Sequence, residues 1–321
     1  MTVPTGTFTK YAAVGIKEDL QDMVYDISPT ETPFMTNIGR GKARATYHEW
    51  QTDSLAAASA ANKHIEGDDD ATNTASPTTR LGNYTQIMKK VPRVSGTMIA
   101  VDTAGRRDEM SYQISKRSQE IKRDIEACFC GTQAAAVGTA AGARASAGLG
   151  AWLWNNQTKK GAAATTVAVS SGAPTTAPTA GTAGTFTEAN LKSTIAACWE
   201  DGGSPTMVLV GSHNKQLASA FGGIATQYRD NPQTGPGVII GAADVYVSDF
   251  GQLNIVASRF TTAANVFVLD LEYWEAGYLR PISQKPLAKT GDSERREILC
   301  EVTLVAKNPA SSGKVYTTTT S

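Results

Sequence analysis

The chain has 321 residues, 41% of them hydrophobic, with 30 basic and 30 acidic side chains. That apolar content excludes a chain disordered throughout, and the length allows two domains or one domain with large extensions. Balanced charge argues against a surface that grips nucleic acid, because such affinity comes largely from counterions released by Lys and Arg.

No run approaches the ~18 apolar residues of a membrane span. The opening MTVPTGTFTK has neither the basic end nor the apolar stretch of a signal peptide, so a soluble product of a cytoplasm is expected. Residues 1–15 read as an extended tail. Ile16, Leu20, Met23, Val24 and Ile27 then form one apolar helical stripe. Pro29 ends that helix, and Pro33 is expected to keep the next residues extended. Nothing between Glu18 and Leu55 could do chemistry. A short helix, a Ser-Pro-x-x-x-Pro turn, a basic glycine-broken segment and an alternating strand are what an arm reaching neighbouring subunits would contain.

Two β-rich runs follow, TYHEWQTDSL from Thr46 and Thr85 to Asp102, separated by a small, polar, acidic connector. The connector is too long for a compact hairpin, so the two runs are expected to pair as a ribbon leaving the subunit. A two-stranded ribbon is marginal in water and should dock on a neighbouring copy. Next comes the longest predicted helix, about Arg107 to Gln133. It keeps Ile114, Ile121, Ile125 and Cys128/Phe129 on one face, with Lys116, Arg117, Glu120, Lys122, Arg123, Asp124 and Glu126 around the rest: a spine with a solvated back.

Residues 134–186 are rich in Ala, Gly, Thr, Ser and Pro and read as irregular, although WLWNNQ argues against full disorder and TTVAVSS could form a short strand. Thr187 is a good N-cap, with Phe186 and Leu191 placed as a hydrophobic staple. The helix should bury Leu191, Ile195, Cys198 and Trp199 and stop at Gly202-Gly203. After the strand TMVLV, Ser212 is expected to cap a short helix carrying Leu217 and Phe221. The rest reads as strand: DVYVSDF, LNIVAS, NVFVLDL, EYWEAGYL and REILCEVTLVA. Helices on largely antiparallel strands make the fold α+β.

The run EDLQDMVYDISPTETPFMTNIG, then YHEWQTDSLA, the ribbon and the spine helix, resembles the major capsid (major head) proteins of tailed bacteriophages, in order across nearly the whole chain. The resemblance implies the capsid fold of tailed phages and herpesviruses. It assigns 1–44 to an N-terminal arm, 45–104 to an extended loop, 105–186 to the spine helix and peripheral domain, and 187–275 to an axial domain. Residues 276–321 would return to complete the peripheral sheet and form the tail. It further implies a subunit that self-assembles through hexameric and pentameric capsomers into an icosahedral virion shell around phage double-stranded DNA. That DNA would be faced without sequence-specific binding. Portal, scaffold and decoration proteins are possible partners, and assembly would occur in the host cytoplasm. The chain leaves no room before the arm for a scaffolding segment, so any scaffold is expected to be a separate protein or absent. The Lys–Asn cross-link of some relatives cannot be matched to positions here.

Enzymatic readings are weaker. Ser212-His-Asn-Lys215, Ser248-Asp249-Phe250 and Lys289-Thr290-Gly291 mimic the S-x-x-K, S-D-N, K-T-G set of penicillin-binding proteins, but Phe250 stands where that set needs Asn. Glu66 with Asp68, Asp69 and Asp70 lacks the glycine and closing Glu of a calcium loop and reads as a solvated acidic tip. His48, His64 and His213 are scattered, so no metal is expected, and no phosphate loop or dinucleotide fingerprint implies a cofactor. Cys128, Cys130, Cys198 and Cys300 read as small buried hydrophobes. The candidate inter-subunit residues are Tyr47, Trp50 and the acidic tip (Glu66, Asp68, Asp69, Asp70), the tip meeting Arg40, Lys42 and Arg44 of another copy by charge complementarity. Besides a capsid, the alternatives are an encapsulin-type shell around enzyme cargo and, remotely, a Ser/Lys acyl-transfer enzyme.

Overall fold

The computed structural model describes residues 30–67, 75–103, 108–159, 167–179, 181–221, 244–261, 263–316 and 318–319. The helix expected over 16–27 lies outside them. The first described element is not extended: Pro33–Asn37 forms the one-turn helix α1. Proline at the first helical position loses no hydrogen bond there and starts the turn.

Strands β1 (Gly39–Lys42), β2 (Tyr47–Thr52), β3 (Thr79–Tyr84), β4 (Gln86–Lys90) and β5 (Arg93–Ser95) follow, then the short helix α2 (Gly96–Ala100). The spine helix α3 runs Glu109–Phe129, started by Asp108, whose carboxylate accepts from the Met110 and Ser111 N–H groups. Residues 134–148 are irregular apart from one bridge, Ala136 to Ala145. Helix α4 (Leu149–Trp152), β6 (Asn156–Lys159) and the two-residue strands β7 (Val169–Ser170) and β8 (Ala173–Pro174) come next. Beyond them lie α5 (Glu188–Glu200), β9 (Met207–Val210), α6 (Ser212–Ser219), β10 (Val245–Ser248), β11 (Gly251–Ala257) and β12 (Asn265–Leu269). The long strands β13 (Trp274–Pro286) and β14 (Ser293–Ala306), then β15 (Gly313–Tyr316), close the fold.

Two mixed sheets organise these elements. In the first, β1, β13, β14 and β4 lie side by side, with β5 extending the pairing along β14. Strand β14 alternates, turning Ile298, Cys300, Val302 and Leu304 into a core shared with Met88 of β4 and with Ile121, Ile125 and Phe129 of the spine helix. The second sheet runs β10-β11-β9-β12-β15-β6. Its central strands MVLV and NVFVL are buried at every position. They read as continuous apolar runs because both faces are covered. Met207, Leu209, Phe267 and Leu269 join the spine core, whereas Val208, Val210, Val266 and Val268 join a second core under Leu191, Ile195 and Ala218 of α5 and α6.

Several expectations need correction. The ribbon is β2 with β3, in register from Tyr47↔Tyr84 to Thr52↔Thr79. The run from Thr85 instead supplies β4 and β5 on β14, so the ribbon ends at Tyr84 rather than near residue 104. Alternate burial decides this: Met88 and Val94 turn inward, and inward positions gain more against a covered sheet than on a two-stranded ribbon. Pairing among the described strands is largely antiparallel, as expected, with β1–β13, β9–β11 and β6–β15 parallel. Gly313–Tyr316 pairs with β12 and β6, not with the sheet formed by the preceding strands. On α5, Trp199 is 55% exposed, while Leu191, Ile195 and Cys198 are buried as expected. Thr187 sits at the N-cap, but its hydroxyl accepts from the Asn190 side-chain amide at 2.6 Å. Ser212 opens α6 as its first residue, with Gly211 at the cap position and no side-chain cap.

Candidate functional site

Tyr47 and Trp50 stand on β2 at the foot of the ribbon. The Tyr47 hydroxyl donates to the Ser171 carbonyl at 2.7 Å, and its ring lies 4.6 Å from that of Tyr84. Trp50 donates from Nε1 to the Ala306 carbonyl at 2.8 Å, and its ring meets Trp152 at 5.4 Å. Both are half-buried against the chain's own spine core. Their described contacts anchor the ribbon to its own subunit.

Beyond this foot the character changes. Residues 53–67 are exposed without a break, Glu66 included. Asp68, Asp69 and Asp70 lie outside the described residues. Arg40 and Lys42 are exposed on β1, an edge strand of the first sheet, and Arg44 is exposed just beyond it. No described contact within the subunit brings this basic strip to Glu66.

Three buried polar groups, none singled out by sequence reasoning, hold the projecting parts in place. Glu126 had been counted on the solvated back of the spine helix, yet it is fully buried. Its two oxygens accept from the Phe34 and Met35 N–H groups at 2.8 and 2.7 Å. This clamps α1 to the spine helix. Burial raises the Glu126 pKa above the usual carboxylate range, while the hydrogen bonds from α1 and the nearby Cys130 thiol act against the rise.

Asn83, buried on β3, donates to the Ser146 hydroxyl and to the Ala147 and Leu304 carbonyls; its oxygen accepts from the Ala147 and Tyr84 N–H groups. Glu301, buried on β14, pairs with Arg144 and Arg280 and accepts from Thr85. An acid beside Ile125 and Phe129 was the only sequence hint of the first. The other two carried none, because most of their partners lie far along the chain, Ser146 63 residues from Asn83 and Arg144 157 from Glu301.

The pieces of the enzyme-like motif lie on separate elements: Ser212 and Lys215 on α6, Ser248 on β10 and Thr290 between β13 and β14. Lys215 points to Asp244, at 2.9 Å, and to the Ile255 carbonyl, at 2.6 Å. Ser248 closes the β10–β11 turn, donating to the Gly251 carbonyl and accepting from the Phe250 N–H. Thr290 accepts from Arg295 in the β13–β14 hairpin of the other sheet. Among the described residues no group of three His, Cys, Asp or Glu side chains could hold a metal ion. All four cysteines are free; Cys130, Cys198 and Cys300 are buried and Cys128 partly so. Burial pushes the Cys128 and Cys198 thiols up to about 12, which leaves them inert as nucleophiles.

A family model described as SU10 major capsid protein matches residues 3–320. The major capsid protein of Escherichia phage Phieco32 is 28% identical over 358 residues, covering 99% of this chain and 98% of that protein. Among solved structures, the Cyanophage A-1(L) capsid asymmetric unit superposes with a TM-score of 0.65 at 13% identity, covering 98% of this chain and 99% of that one. A structure of phage G gp27 major capsid proteins with gp26 decoration proteins gives a TM-score of 0.52 at 12% identity, covering 99% and 100% of the two chains. The structural likenesses carry the fold, and the family match carries the rest. The chain belongs to the SU10 major capsid protein family, whose members form the capsid shells of phages.

Proposed function

We propose that this capsid subunit builds its shell by lending the arm and the ribbon to neighbouring copies. The carrying observation is the contrast along the ribbon: a foot locked by Trp50, Tyr47 and Asn83, then residues 53–67 fully exposed. A chain that fixes the foot of a ribbon so firmly and leaves residues 53–67 exposed has placed that stretch for another molecule. The acidic tip, Glu66 and Asp68 to Asp70, docks on the basic strip Arg40, Lys42 and Arg44 of the next copy. Such rim charges set register and on-rate more than affinity. Many modest contacts of this kind reinforce one another through high effective concentration.

On this reading the second sheet with α5 and α6 forms the axial domain around the capsomer axis, and the first sheet with the spine helix forms the peripheral domain. The shell works without catalysis. Its inner wall faces packaged DNA without gripping it, consistent with 30 basic and 30 acidic residues. Decoration, scaffold and portal proteins join from outside the chain, and assembly takes place in the host cytoplasm.

The test is negative-stain microscopy of the expressed protein after a sucrose gradient, beside a variant whose residues 53–78 are replaced by a short turn. Closed shells or rings from the parent and only small species from the variant are expected. Shells of normal yield from the variant would refute the lending of the ribbon.

A further inference from the structure

An aromatic pair stands exposed at one corner of the second sheet. Trp199 on α5 and Phe250 in the β10–β11 turn meet ring to ring, with centroids 5.1 Å apart. Even so, 55% of Trp199 and 43% of Phe250 stay exposed. Neither belongs to the apolar cores.

The turn that carries Phe250 is tied in place. Ser248 locks the turn from both sides, accepting from the Phe250 N–H and donating to the Gly251 carbonyl. The Tyr246 hydroxyl donates to Glu188 at 3.0 Å, tying β10 to the start of α5. A fold that fixes two exposed aromatics on cross-tied elements has pre-organised a contact, and Trp is prominent among interface anchors. Strand β10 beside them is an edge of its sheet, with Val247 74% exposed.

Charge limits what the pair meets. Glu200, Asp201 and Asp249 flank it and are exposed, and among the described residues Lys192 nearby is paired with Glu188 at 2.9 Å. Two copies of so acidic a corner would repel face to face. Area limits it further. A whole Trp or Phe side chain offers about 150–250 Å², so the exposed halves of this pair present roughly 200 Å². A stable two-body interface needs about 800 Å² from each partner.

We propose that the Trp199–Phe250 corner is a head-to-tail contact onto a different, cationic surface of a second copy of this chain, a geometry that closes into rings. This rests on the shell reading above. The contact is too small to hold a dimer, so it counts only where a closed ring reinforces it.

A photo-crosslinking amino acid at position 250 of the full-length protein, irradiated in assembled particles, tests this. The expected product is a dimer of the chain whose cross-link maps away from residues 188–201 and 244–251, near Lys or Arg. A cross-link to those same residues, to another protein, or none at all from assembled particles would overturn it. Trp199→Gln with Phe250→Thr should raise the protein concentration needed for rings or shells at least tenfold and leave the subunit's unfolding midpoint unchanged. Assembly at the parent's concentration would overturn the proposal while the shell reading stood. Parent protein that never forms rings or shells would sink the shell reading itself.

Discussion

Single residues explain how the projecting parts are held. Glu126→Gln keeps the shape but turns an amide donor toward one of the two N–H groups of α1. A hydrogen bond to a charged group is worth about 1.5–3 kcal/mol, and a loss of that order is expected in urea unfolding of the subunit, with the arm more open to protease. Lys314 offers a pH test. It is fully buried, with Nζ donating to the Gly150 carbonyl and lying 4.6 Å from the Tyr316 ring centroid. Burial lowers its pKa to about 7 from 10.5. Between those values the unfolded chain binds more protons than the folded one, so stability rises with pH across the window. Below pH 7 the amine is protonated in both states and the full cost of burying the cation is felt. Lys314→Met should therefore stabilise the subunit by a few kcal/mol more at pH 6.5 than at pH 10, since one pKa unit is about 1.4 kcal/mol. Equal gains at both pH values would show that the amine is not held in a desolvated site.

At the scale of elements, the ribbon was half legible. YHEWQT announces a strand by its aromatic and β-branched content, but its partner TRLGNY carries Gly82 and Asn83, both poor strand formers. Their reasons are tertiary. A Cβ on Gly82 would stand 2.6 Å from the Tyr47 ring, and Asn83 is spent on loop and β14 carbonyls. Gly82→Ala should push the Tyr47 ring aside, weaken its bond to the Ser171 carbonyl and cost about 1–3 kcal/mol, the usual range for overpacking. A thermal melt of the unassembled subunit checks it, and an unchanged midpoint would mean the ring moves freely. The spine helix, by contrast, was readable from its periodicity alone. Glu126 escaped, because an acid one position from an apolar stripe looks solvated until something arrives to cover it.

For the whole molecule, the expected assembly chemistry is electrostatic at the ribbon tip and mixed, apolar with an acidic flank, at the Trp199 corner, so salt should weaken the tip more than the corner. Exposed ion pairs are screened as the Debye length falls from about 10 Å at 0.1 M to about 3 Å at 1 M. Assembly yield should therefore fall with added salt in the parent. With Asp68, Asp69 and Asp70 changed to Ser, yield should be lower at 0.05 M and should fall less steeply with salt than the parent's. Light scattering across a salt series measures both, and identical curves would remove the acidic tip from the assembly mechanism.

The sequence by itself determined the α+β class, the spine, the helix at 188–200, the buried strands MVLV and NVFVL, and a resemblance sufficient to expect a capsid subunit. These are local signals: period, caps and unbroken apolar runs survive without knowledge of what they pack against. Only the tertiary structure decided which strand completes the ribbon, that β15 crosses to the second sheet, that Glu126 faces inward and that Trp199 faces out. Each depends on partners far along the chain, and two strands or helix faces of similar composition differ only in which of them finds a surface to cover.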